Sequence, residues 1–112
     1  MPIESGIPVL SGYDVQEESM IAFTVEDAIR LRIDQASVRN YGAVESVLSI
    51  WLIQSTQGEG ELTLANDITL AAGEATSIAS AIGRTLSVGG TIRLKSSVAN
   101  TLTVSVTGTN YL

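Results

Sequence analysis

Carboxylates are the obvious acid-base groups of this chain: it carries 12 Asp and Glu and no histidine or cysteine. It therefore lacks both the commonest general base and metal-binding imidazole and any thiol nucleophile. Glu17-Glu18 and Glu26-Asp27 are adjacent pairs, and neighbours on a strand point to opposite faces, where they do not readily share a substrate. Glu59 and Glu61 could project from one side of an extended loop, as a glycosidase pair requires, but only tertiary placement would make them one. Asp14, Glu17 and Glu18 offer the oxygen ligands that calcium prefers at a spacing unlike an EF-hand loop, and the plainer reading is a solvated acidic turn. Gly58-Glu59-Gly60 lacks the glycine spacing of a phosphate cradle, and its acidic neighbours repel an anion. No G-x-S-x-G or Ser-x-x-Lys element occurs, since Lys95-Ser96-Ser97 runs in the wrong order. The expectation is a protein that is not an enzyme and holds no cofactor or metal.

The bulk properties point the same way. A chain of 112 residues fits one domain, which buries roughly 65% of its unfolded surface. Hydrophobic residues make up 45% and charged residues 16%, a balance that suits folded β structure. With no disulfide available, the fold rests on packing or on self-association. Residues 1–61 hold ten acids against three arginines, and residues 62–112 hold two acids against Arg84, Arg93 and Lys95, so the net charge of −6 divides as −7 and +1. Phosphate contact needs clustered Lys and Arg, so direct nucleic-acid binding is not expected. The longest apolar run, residues 47–53 broken by Ser49, is far short of the roughly 20 residues of a membrane span. Residues 1–10 lack the basic start and long apolar core of a secretory signal. Synthesis in a cytoplasm and no membrane partner are expected.

The elements follow from periodicity. Pro2, Gly6, Pro8 and Gly12 disfavour a helix or central strand at the start, so residues 1–19 read as an arm and residues 20–112 as the folded domain. Ile3, Ile7, Val9, Leu10 and Tyr13 make this arm too apolar for a solvated tail. It is expected to lie on its own domain or on another subunit, adding a strand to an edge. Residues 20–25 are rich in β-formers, and Ile29, Leu31 and Ile33 alternate with charged residues before the phase slips at Ala36 and Val38, which predicts a bulge near residues 34–36. Residues 47–53 read as a central strand covered on both faces, with Trp51 in the core. Turns are expected at Asn40-Tyr41-Gly42, residues 71–74 and Gly89-Gly90. Residues 78–82 suit one or two helical turns. Ala99-Asn100 reads as the hairpin joining the strand of Ile92 and Leu94 to that of Leu102, Val104 and Val106. Six or more short strands with little helix predict an all-β, antiparallel β-sandwich or jelly-roll-like single domain with an extended N-terminal arm, the rival being a small barrel.

Four segments carry a resemblance: residues 47–53 (VLSIWLI), residues 66–76 (NDITLAAGEAT), residues 86–92 (LSVGGTI) and residues 104–108 (VSVTG). Together they resemble the small β-sandwich virion proteins of tailed bacteriophages over residues 28–110. Ala75 separates Glu74 from Thr76, and Gly90 stands where that pattern commonly has Asp. The resemblance implies a capsid decoration (cement) protein, or a neck or tail component, located in the virion. It also implies a homo-oligomer, often a trimer, bound to the major capsid protein or to other virion proteins. On that reading Ile7, Val9, Leu10 and Tyr13 clamp a neighbouring subunit, and removing residues 1–13 abolishes particle binding while leaving the fold intact. A carbohydrate-binding sandwich is the competing expectation.

Overall fold

The computed structural model describes residues 3–26, 30–53 and 63–112. They form nine strands: β1 (Ile3–Asp14), β2 (Met20–Thr24), β3 (Arg30–Asn40), β4 (Ser46–Ile53), β5 (Thr63–Leu70), β6 (Ala75–Ser77), β7 (Thr85–Ser87), β8 (Thr91–Ser96) and β9 (Leu102–Tyr111). One sheet has the order β1-β9-β3-β6, with β7 also on β3, and the other has β2-β8-β4-β5. Every pairing is antiparallel. If β6 and β7 are taken as one interrupted strand, this is the strand order of a jelly roll, in which the chain passes back and forth between two facing sheets.

Alternation explains why these segments are strands. Leu102, Val104 and Val106 turn inward from β9, while Ser105 is exposed. On β3, Leu31 and Ile33 are buried on odd positions and Ala36 and Val38 on even ones. The register with β9 shifts between Ile33 and Gln35, so the extra residue is Asp34 and the bulge lies where the phase slip predicts it. Facing them are Leu48, Ile50 and Leu52 of β4, Ile92 and Leu94 of β8, and Leu70 of β5. Val15, Val25, Ile78 and Ala81 close the core from the connections.

One end of the sandwich is plugged by polar groups that satisfy one another. The Asn40 amide donates to the carbonyls of Val44 (2.8 Å) and Leu70 (3.1 Å) and accepts from Gly42 N–H (2.9 Å). Ser46, Ser96 and Thr101 are also buried. Ser46 Oγ lies 3.0 Å from both Ser96 Oγ and Thr101 Oγ1, and Ser96 Oγ donates to the Val98 carbonyl at 2.7 Å. Buried hydroxyls and amides persist in a core only when paired in this way.

Several expectations change. Residues 99 and 100 do not close a hairpin: β8 and β9 lie in different sheets, and the turn, with Asn100 at φ 56°, carries the chain across the sandwich. Its direction is set by Ser96 and Thr101 turning into the polar plug. Residues 78–84 make successive tight turns, Ala81 N–H to Ile78 O (3.0 Å) and Arg84 N–H to Ala81 O (3.1 Å), and no helix, because Gly83 N–H, which a helix would turn back on residue 79, is taken by Ile33 O at 2.7 Å. β4 is central in its sheet but, among the described residues, covered on one face only. Ser46, Leu48, Ile50 and Leu52 point in, whereas Val47, Ser49, Trp51 and Ile53 are half-buried on the outside. Trp51 is therefore an outer-face residue and not part of the core.

Candidate interaction surfaces

Residues 3–14 are an edge strand of their own domain, antiparallel to β9. Pro8 is tolerated because an edge strand need not donate on its free side. Register shifts between Glu4 and Ile7, between Pro8 and Leu10, and between Leu10 and Tyr13 accommodate the glycines, with Gly6 at φ 66° and Gly12 at φ 60°. Leu10 is 8% exposed within the core; Ile7 is half-buried opposite Gly108, and Val9 and Tyr13 pack partly buried against the core. All four thus lie on this domain, and Leu10 has little side-chain surface left for a neighbour. Removing residues 1–13 takes out nearly all of a strand and uncovers β9, so such a truncation does not leave this fold intact.

The outer face of the β2-β8-β4-β5 sheet is a different matter. Ile21 pairs with Arg93, Arg93 with Trp51, and Trp51 with Ala65, so these four form one cross-strand row over the whole sheet. Ile21 is 51% exposed, and Trp51 and Arg93 are half-buried. Among the described residues Arg93 Nε is buried without a hydrogen-bond partner, a state that costs at least about 1–3 kcal/mol for a charged group. On one side of the row runs Lys95-Ser49-Asp67, and on the other Thr91-Ile53-Thr63. The face carries Arg93 and Lys95 against Asp67, with Glu17 bordering it beside Lys95 and Ser49. Apart from the tryptophan itself, no sequence signal marks this row, because it exists only once three strand registers are fixed.

The outer face of the other sheet is polar. Arg32 Nε donates to Asp34 Oδ1 at 2.8 Å, its Nη1 donates to Tyr111 Oη at 2.9 Å, and Thr109 Oγ1 donates to Asp34 Oδ2 at 2.6 Å. Arg30 lies over the Tyr111 ring, 4.8 Å from its centroid. The Thr109 hydroxyl, followed by the Arg32 guanidinium, holds the Asp34 carboxyl below its ordinary range. The Asp34 carboxylate in turn raises Arg32 above its own. The cluster is internally satisfied and reads as a clasp on the β3 bulge.

Asp14, Glu17 and Glu18 are exposed around the β1–β2 connection, and among the described residues no group of three or more Asp or Glu is placed to hold a metal ion. Glu59, Glu61 and Asp27 lie outside the described residues. Two open hollows are lined by Glu17, Val47, Ser49, Lys95, Ser96 and Ser97, and by residues of β3, β6 and β9 around Arg39. Among the described residues no helix is long and apolar enough to cross a membrane. Comparison with family models, with curated proteins and with solved structures finds no significant match for this chain.

Proposed function

We propose that this chain is a non-enzymatic virion structural protein of a tailed bacteriophage, a capsid decoration (cement) protein that binds the major capsid protein or another virion component. The observation that carries this reading is the row Ile21-Arg93-Trp51 on the open face of its sheet. Tryptophan and arginine are the residues that most often dominate protein interfaces, and an Arg93 Nε that finds no acceptor among the described residues is served by a carboxylate or carbonyl brought in over the row. Attachment then works by buried area, with about 800 Å² from each partner in a standard interface, and repetition on a lattice multiplies weak contacts into firm occupancy. The jelly-roll order adds support by fold-level analogy alone, since viral capsid domains use it and lectins do too. A neck or tail position is the alternative within the same mechanism.

The test is to band virions from a lysate that expresses the chain and to locate it in them by mass spectrometry and antibody labelling. Regular labelling over the capsid is the expected result. Labelling confined to the neck or tail moves the site, and particles free of the chain overturn the reading.

One observation favours a second reading, a carbohydrate-binding module: Trp51 stands on an outer face, where an aromatic can stack on a sugar ring. A glycan array separates the two, because the structural reading expects no bound glycan.

A further inference from the structure

Among the described residues, five strands end a sheet: β1, β6 and β7 in one, β2 and β5 in the other. Exposed edges are templates for another chain, and proteins blunt them with short strands, bulges, proline or lysine. β6 and β7 have three residues each. β2 has five, with a register shift between Ile21 and Phe23. β1 is long, but it is broken by three register shifts and carries Pro8. Among the described residues β5 has none of these devices, and Asp67 is its one charge. It runs eight residues in eight consecutive register pairs with β4, without a shift, and contains no proline, glycine or lysine.

We propose that the free edge of β5 pairs antiparallel with β5 of a second copy, joining two four-stranded sheets into one that runs through both molecules. The occupant follows from the contrast between edges. A head-to-tail neighbour needs a second, different open edge, and the described residues offer none; a single open edge is completed by itself about a two-fold axis. A two-fold axis perpendicular to the sheet keeps both cores on the same side and pairs positions whose numbers share parity. Two such registers overlap seven of the eight residues, and of these the one centred on Asp67 would set the two Asp67 carboxylates opposite each other, which is destabilising. Centring on Asn66 sets Asn66 against Asn66, Asp67 against Ala65 and Ile68 against Leu64, with no like charges opposed. That register is the one assigned. It also excludes a three-membered ring closed by strand addition. The pairing stands independently of which particle, if any, the protein joins.

Sedimentation equilibrium of the full chain over a concentration series tests it. The expected species is twice the 11.7 kDa chain mass. Ala65→Asp, which sets a carboxylate against Asp67 at two symmetric places, weakens pairing about tenfold, and Ala65→Asp/Asp67→Lys restores it, with circular dichroism confirming the fold of each variant. Should Ala65→Asp fail to fold, Ala65→Lys serves instead and is expected to tighten pairing. A chain that stays monomeric toward millimolar concentration, a trimer, or a dimer indifferent to these changes overturns the proposal. A dimer that Ala65→Asp weakens and the double variant does not rescue overturns the register.

Discussion

Thr109 Oγ1 donates a 2.6 Å hydrogen bond to Asp34 Oδ2, fastening the last strand to the bulge of β3. The bulge exists because Leu31 and Ile33 must face the core on odd positions and Ala36 and Val38 on even ones. Its extra residue is a carboxylate that meets a buried hydroxyl and the guanidinium of Arg32. Charge-assisted bonds of this kind favour the ionised form.

The lowered Asp34 value fixes the sign of a pH effect. A carboxylate with a folded value below its unfolded one contributes stability that is fully present above about pH 4, near the unfolded value, and is lost as pH falls through the folded value. Chemical unfolding measured from neutral pH down to about pH 2 should show the midpoint falling on this limb. Asp34→Asn should flatten that fall, and equal slopes in both proteins would show that the bond carries no linkage.

Gly108 is held by close approach. A Cβ there would lie 2.6 Å from the Arg32 carbonyl oxygen and 2.7 Å from Leu31 Cδ1, and a backbone oxygen inside a paired strand has nowhere to go. Gly108→Ala should cost about 2–3 kcal/mol. An unchanged urea midpoint would mean that β3 and β9 sit farther apart than described.

Leu10 and Ile3 separate the two roles open to the first strand. Leu10 is buried in the core and Ile3 is 55% exposed. Leu10→Ala should lower stability by about 2–4 kcal/mol, and Ile3→Ala by about 0.5 kcal/mol or less. A clamp on a neighbouring subunit predicts the reverse for Leu10, an unchanged monomer and a weakened assembly.

Val104 is fully buried on β9. Val104→Asp leaves a carboxylate unpaired in an apolar core, at a cost of several kcal/mol, about the whole stability of a small domain. No soluble folded protein is expected. A native-like spectrum from this variant would place that strand face outside.

Period-two patterning made much of the fold legible beforehand. The alternation of β9, the phase slip on β3 and the turn at Gly73, with φ 77° and Glu74 N–H bonded to Ala71 O at 3.0 Å, follow from local sequence. What was not legible depends on partners far along the chain. Residues 47–53 are apolar on both sides, and a half-buried outer face reads like a covered one, so Trp51 reads as core from sequence. β8 and β9 are separated by five residues, a distance that suits a hairpin; only the burial of Ser96 and Thr101 in the polar plug shows that the chain crosses to the other sheet. The first strand read as an arm because proline and glycine argue against a central strand, and they are compatible with the edge it occupies. Ile21 and Arg93 of the row Ile21-Arg93-Trp51 are 72 positions apart in sequence, so no local window along the chain contains it.

That row is where the functional reading is most exposed to test. Binding of the purified chain to virions that lack it should be titrated for the unaltered protein and for Ile21→Ser and Trp51→Ala, with thermal unfolding confirming that each remains folded. The account predicts saturable binding that weakens at least about tenfold in each variant, as loss of an interface anchor does. Saturable binding that is equally strong in all three proteins would contradict it.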